Sequence, residues 1–524
     1  MVGPGNMEVT SDNRATIPFV TIALILALGV GSCQNDVPEA PVALPRPPRI
    51  APDYAGIVVP PNIAPLNFVV DEPGVSYFAR IRAASDDQAI EVASNTGKII
   101  IPPQQWHALL RNNMGQELRI DVYVKTAAGT WNQYQTITNT IAAEAIDPYL
   151  AYRYMMPSSY FPKRMRICQR NLESFAEETL LDTASFGNGC AHCHTFVNGN
   201  PEKMLLGIRS TSFPSATIYA HDGQVEKIGA KFGYTAWHPS GKIATYSVNK
   251  VRQFFHTARD EIHGVVDLDS AIFYYDVAAR RIKKAPVLAD RQRLETYPAW
   301  TPDGKTLYFC SAPLLWTDMD TVPPKRYDEV KYDLVRISYD VDTDTWGTLE
   351  TVLSAGATGR SILLPRVSPD GRFLVFCMAD YGCFPIFQPT SDLYVMDLST
   401  GTYEKAAASS EHADAWHSWS SNSRWIVFSS KRQGGLFTRP FISYVDAQGR
   451  TRKPFVLPQP DPSFYASCYH VYSVPELITQ AVAVDSDALL TAITSPPPSG
   501  VDSVTGATSA TSNPAYQRGQ SSVQ

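Results

Sequence analysis

Recurring Pro-Asp-Gly-type turns, a run of short alternating segments near the N-terminus and very little helical patterning predict a chain that is mainly all-β. The expected order is a small β-sandwich-like domain, a short helical segment, and a β-propeller forming the larger part. At 524 residues, 44% of them hydrophobic, the chain is long enough for two or more domains with real cores. Its net charge of -6 is spread without long runs, so no basic footprint for a nucleic acid is present.

The N-terminus speaks to compartment. Ile17 to Val30 is an uncharged apolar run, short for a membrane span and suited to the core of a signal peptide. It ends in Val30-Gly31-Ser32-Cys33, which resembles the lipobox of bacterial lipoproteins. The resemblance implies a lipoprotein signal peptide over 1–33 with lipid on Cys33. Gln34, in place of Asp, implies sorting to the outer membrane. The flank is weakly basic (Arg14 against Glu8 and Asp12), and Met7 offers a shorter leader. An uncleaved N-terminal anchor is the alternative; either way the body is exported.

Residues 34–53 are rich in Pro and Ala and read as an extended tether. Residues 54–148 hold the sandwich-like domain, with its best hairpin from Leu118–Val124 through Gly129 to Trp131–Ile137. Over 149–203, Gln169 to Leu181 has helical composition. Apolar Leu172, Phe175, Ala176 and Leu180 give it one buried stripe. A Gly187-Asn188-Gly189 turn follows. From 204 to 475 the chain repeats a strand, a Pro-Asp-Gly-type turn and a strand, the turns lying at Pro239-Ser240-Gly241, Pro302-Asp303-Gly304, Pro369-Asp370-Gly371 and Ser421-Asn422-Ser423. Pro then Gly is tight-turn chemistry, and spacings of 63, 67 and 52 residues between positions 237, 300, 367 and 419 fit four-stranded blades with insertions. Four blades are visible, Met204–Ile228 reads as a degenerate fifth, and a sixth is expected from closure. Residues 476–524 end in a Ser/Thr/Pro/Gly-rich tail that reads as disordered.

The chemistry centres on Cys190-Ala191-His192-Cys193-His194, a CxxCH. Two thiols at this spacing can reach the two vinyl groups of one porphyrin, and the adjacent imidazole can ligate its iron. Cys190 and Cys193 are therefore expected to attach one covalent haem c, with His194 as the proximal ligand. Met204 is the nearest candidate for the opposite position, and His238, His256, His263 and His417 are distant ones. For His238 and His417 an ordinary hydrogen-bonded turn histidine is the competing reading. A disulfide or zinc site competes for the cysteines, but no βαβ context and no second ligand pair supports either. Among the other cysteines, Cys310 and Cys377 sit in apolar strand patterns as small core residues. Cys377 and Cys383 are close enough in sequence to pair across a loop. Asp340, Asp342 and Asp344 alternate as in calcium loops but lack the required Gly and Glu, so they read as a hairpin turn. No G-x-S-x-G elbow exists, and too little chain follows the propeller for a serine hydrolase domain. No catalytic residue is assigned.

The Trp-x-Pro-Asp-Gly-Lys turns resemble the propeller repeat of TolB-type periplasmic proteins. More broadly, Asn62–Phe68, Gln169–Phe175, the CxxCH, Asp380–Ile386 and His417–Ser421 resemble a group of lipoproteins carrying a CxxCH and a TolB-like propeller. The resemblance implies a TolB-like, WD40-like propeller of six blades but brings no established reaction. The expected function is an outer-membrane-tethered monohaem protein for electron transfer or redox sensing. Its partners would be the membrane, through lipid, and a redox or envelope protein. Alternatives are a TolB-like binding scaffold without functional haem, and a peroxidase-like haem enzyme.

Overall fold

The computed structural model describes residues 38–84, 88–157, 165–256 and 263–496. The apolar run Ile17–Val30, on which the signal-peptide expectation rests, Cys33 and the residues from 497 onward lie outside this set.

Six four-stranded antiparallel sheets follow one another among the described residues. Their inner strands are β1 (Cys190–Val197), β2 (Gly233–Trp237), β3 (Arg293–Trp300), β4 (Ser361–Val367), β5 (Asp414–Trp419) and β6 (Val471–Ile478). Each inner strand packs on the next, and β6 packs on β1, so the six form a closed ring. A ring of radially arranged four-stranded sheets is a β-propeller. Closure is made by the C-terminal strand. Within the first sheet β6 pairs with Tyr149–Met155, from Tyr149↔Ile478 to Met155↔Val471, beside Met165–Asn171 and Glu177–Asp182.

The repeated turns are built as their residues demand. Asp303 Oδ1 accepts from Thr301 Oγ1 at 2.6 Å and from the Lys305 amide at 3.0 Å, and Gly304 sits at φ +71°. Gly241 (+67°) and Gly371 (+72°) hold the same left-handed place, which glycine adopts without a Cβ clash. In the fourth turn Ser423 takes that conformation at +61°. There Ser420 Oγ donates to Asn422 Oδ1 at 2.6 Å, so the turn survives without Pro-Asp-Gly.

Ahead of the ring, a seven-stranded and a three-stranded sheet share a core with helix α1 (Pro103–Asn112), where Trp106 is fully buried. This region leans on the sixth sheet. Trp425 Nε1 donates to the Glu144 carbonyl at 3.1 Å, the Ser421 amide to Asp147 Oδ2 at 2.7 Å, and Tyr54 packs edge-on to Phe455.

Four expectations are corrected. The segment 149–203 is not helical: Gln169–Leu181 crosses between two strands of the first sheet, with Cys168↔Thr179 and Gln169↔Glu178 in register. The ring therefore begins at Tyr149 rather than at residue 204, and it ends at Ile478. The Pro-rich stretch is not a free tether from 38 onward, because Val42–Ala43 pairs with Asn132–Gln133 and Ile50–Ala51 with Val69–Val70. The tail is ordered as far as helix α2 (Ser486–Thr494). Leu489 and Ile493 of that helix are buried, and Lys227 Nζ donates to the carbonyls of Ile493 and Ser495 at its C-terminal end.

Candidate functional site

All six inner strands carry the same irregularity. Each leaves its ladder at one residue in the left-handed region: Cys193 (φ +54°), Tyr234 (+22°), Tyr297 (+56°), Leu364 (+54°), Trp416 (+53°) and Val474 (+50°). The register shifts at each place, as a β-bulge requires. A non-glycine residue in this conformation costs on the order of 1–2 kcal/mol, so the packing of the ring must over-determine it at six positions.

Three of the bulged side chains meet at the axis. Tyr234 and Tyr297 have ring centroids 4.4 Å apart, and both approach Trp416, at 6.1 and 6.2 Å. β2 and β5 stand opposite each other in the ring, so the Tyr234–Trp416 contact crosses the axis and closes it. Above this floor, the residues after each bulge line a cavity of about 410 Å³ reached by all six strands. Pro239, Pro302, Pro369 and Ser421 of the repeated turns form its mouth. The result is a blind funnel within the size range of small-molecule sites, about 300–1,000 Å³.

The third step of each strand shows where the ring breaks symmetry. One residue after His194, Thr235, Pro298, Pro365, His417 and Pro475 come Thr195, Ala236, Ala299, Arg366, Ser418 and Glu476. Four are small; two are charged. The Arg366 guanidinium donates from Nη1 to the Pro365 carbonyl at 3.1 Å, and burial, opposed by Glu476, lowers its pKa. Burial pushes Glu476 up to about 8, against the pull of Arg366 and the Phe196 amide. No ion pair joins the two among the described residues. Indoles complete the wall: Trp300 Nε1 bonds Thr245 Oγ1 and Trp419 Nε1 bonds the Arg366 carbonyl, whereas Trp237 Nε1 is buried without a partner.

The CxxCH lies in β1 and is divided by the fold. His194 borders the cavity; neither ring nitrogen has a well-formed hydrogen bond, although the Val474 main chain approaches it. Burial first, and then Arg153, lowers its pKa to about 4. Cys190 is buried with Sγ 4.0 Å from Met165 Sδ, in the seam between the first two sheets. Cys193 is the bulged residue, with Sγ 3.0 Å from His192 Nδ1. Neither thiol lines the cavity. Thioether attachment of one porphyrin requires both sulfurs and the adjacent imidazole on one accessible side. The imidazole meets that condition; the thiols, as placed, do not fit.

Met204 sits opposite Phe196 in the neighbouring strand and is buried among Leu206, Ile218 and Phe196, away from the cavity lining. His238 is taken up on both nitrogens, by Ser240 Oγ at 2.7 Å and the Gly304 carbonyl at 3.0 Å. His417 Nε2 donates to the Val375 carbonyl at 3.0 Å, and its Nδ1 lies 3.8 Å from Cys377 Sγ. His263 packs on Phe255 and Phe387, and His256 on Phe254. Cys377 and Cys383 are both free and buried. Asp340 Oδ1 accepts the amides of Asp342 and Thr343, which is a hairpin turn. Among the described residues no group of three or more His, Cys, Asp or Glu is placed to hold a metal ion, and no helix is long and apolar enough to cross a membrane. Arg366, Glu476 and the bulged floor were missed from sequence. The available signal was Cys193-His194-Thr195-Phe196 itself, which occupies the same step of its strand as Tyr297-Pro298-Ala299-Trp300.

The ring and its funnel define the class: a β-propeller protein. Comparison with known proteins adds likeness of shape only. The chain resembles hydrazine synthase of Kuenenia stuttgartiensis at 11% identity and a TM-score of 0.39 over 63% of this chain, spanning 46% of that one. It resembles oligogalacturonate lyase of Vibrio parahaemolyticus at 12% identity and TM-score 0.30, over 72% of this chain and 100% of the other. The Dos1 propeller matches at 14% and 0.31, over 52% and 63%. Likeness at this level carries no functional argument. No family model and no curated protein matches the chain.

Proposed function

We propose that this chain is an exported binding protein. It is a six-bladed, TolB-like propeller held at the outer membrane through lipid on Cys33, and its blind central funnel receives a ligand or a projecting end of an envelope partner. The observation that carries the reading is a cavity bordered by all six inner strands, with Tyr234 and Trp416 meeting across the axis at its floor. Closed floors suit insertion and release, not threading. The test is to purify the protein from its own envelope, release bound compounds by denaturation, and compare with Ala299→Trp, which fills the cavity. A compound retained by the natural protein and lost from the variant is expected. Identical profiles would remove the reading.

A second reading is a monohaem c-type protein for electron transfer. It is favoured by His194, whose ring borders the cavity with both nitrogens lacking well-formed bonds, next to two cysteines at haem spacing. In this reading a bound haem would supply a redox-active iron. For it, the Cys190 end of β1 has to leave the sheet so that both thiols reach the cavity side. Production in a host with cytochrome c maturation, followed by haem staining of a denaturing gel, decides it: a stained band abolished by Cys193→Ser supports haem, and an unstained band excludes covalent attachment. The peroxidase-like alternative depends on the same band.

A further inference from the structure

We propose that the funnel binds an organic carboxylate, entering head first so that its anionic group seats on Arg366 while its apolar body lies against the indoles. This rests on the binding reading above and narrows it to a ligand class.

The argument begins with the six-fold comparison. At the second residue after the bulge, four strands carry Thr195, Ala236, Ala299 and Ser418. Packing alone is satisfied by small residues there. A guanidinium taken into a half-buried site without a carboxylate partner is unfavourable unless something completes it. Arg366 has five N–H donors, and the described residues engage one of them, through the Pro365 carbonyl. The groups that act on its charge are Glu476, Cys310, Tyr297 and Cys193. Arg366 lines the cavity two residues after the bulged Leu364 of its own strand. A planar fork on the wall of such a pocket matches a carboxylate bidentately.

Glu476 strengthens the case. Opposite charges on one small cavity would pair directly if the cavity existed only to be filled. Here they act on each other through space without closing to a salt bridge. Ser418, on β5 between them, leaves the gap open. The gap is where a ligand head would sit, with Arg366 on one side and Glu476 facing a hydrogen-bond donor beside the carboxylate or donating to it when protonated. Trp237 and Trp300, on the opposite arc, supply apolar surface for the remainder.

Four of the nine tryptophans line the cavity, so intrinsic fluorescence reports occupancy. The probes are 4-phenylbutyrate, 4-phenylbutyramide and 4-phenylbutylamine, which share a body and differ in the head. Saturable change is expected with the carboxylate, at an affinity at least tenfold above the amide and the amine. Arg366→Gln is expected to weaken the carboxylate at least tenfold and leave the amide unchanged, and Arg366→Lys is expected to weaken it less. Circular dichroism checks that each variant is folded. Equal binding of the three heads, loss of only the amide in Arg366→Gln, or no saturable carboxylate binding would overturn the inference. The two failures separate through Ala299→Trp: equal heads that all lose binding in that variant sink the carboxylate and leave the cavity reading standing. Binding that survives in Ala299→Trp sinks the cavity reading itself.

Discussion

β1 and β5 place a histidine at the same step of the same bulge, and the two histidines are in opposite circumstances. In β5, Trp416 fills the axis and His417 behind it is hydrogen-bonded to the Val375 carbonyl and beside Cys377. In β1 the bulged residue is the small Cys193, and His194 has no well-formed hydrogen bond. Burial dominates the lowering of both, to about 3 for His417 and about 4 for His194. Equal position and burial with unequal bonding separate a histidine that builds the ring from one that the ring presents. A buried polar group left unmet is expensive, so its retention points to a role that packing does not supply.

The comparison breaks most visibly at the bulged residues themselves. Trp416→Ala removes the side chain that crosses the axis to Tyr234, and large-to-small changes of this kind cost about 3–5 kcal/mol. Cys193→Ala deletes one sulfur at the equivalent place and is expected to cost about 1 kcal/mol, near the centre of single-mutation effects. Urea unfolding of the two variants should show the difference in midpoint at nearly constant slope. Equal losses would mean that the floor is shared evenly among the six strands.

The histidines come next in size. His417→Leu leaves the Val375 carbonyl buried and unpaired, at about 1–3 kcal/mol. His194→Leu removes a polar ring that bonds nothing well, and is expected to be neutral or slightly stabilising. Thermal melts of both variants in one buffer suffice. A larger loss for His194→Leu would show that the Val474 main chain is its working partner and that it is structural after all.

What was legible in the sequence follows the same division between turn and bulge. Trp-x-Pro-Asp-Gly announces its turn through local chemistry, since Asp caps the turn amides and Gly accepts positive φ. The bulges announce nothing, because Cys193, Tyr297, Leu364 and Val474 are not left-handed residue types and are held there by neighbours far away in sequence. The helical reading of Gln169–Leu181 failed for a related reason. Glu177–Asp182 is the outer strand of its sheet, with Glu177 and Glu178 exposed, so its polar composition imitates a helix surface. Asn171 Oδ1 accepts the amides of Glu173 and Ser174, and this turn interrupts what looked like one periodic stripe. The CxxCH was visible as a motif, but not as the inner strand of a blade, because haem spacing and the ring's own repeat overlap on the same residues.

The smallest expected effects lie in the pH profile. His194 takes up a proton less readily folded than unfolded, where its pKa is about 6.5. Its contribution is therefore complete above about 6.5 and is lost as pH falls through about 4. Glu476 is displaced the other way. Its folded pKa of about 8 lies above the unfolded value, so its contribution is complete below about 4.5 and is lost as pH rises through 8. Stability should therefore be highest between about 4.5 and 6.5 and fall on both sides of that window, with His194 of β1 contributing to the acid limb and Glu476 of β6 to the alkaline one. His194→Leu should shallow the acid limb, in part only because buried His417 is lowered further, to about 3, and should leave the alkaline limb unchanged. Glu476→Gln should do the reverse, in part only, because buried Glu295 is also raised to about 8. Melting midpoints from pH 4 to 9 read both limbs. If the two substitutions flatten the same limb, the two groups titrate as one unit across the β1–β6 contact, and the carboxylate and the imidazole belong to one site.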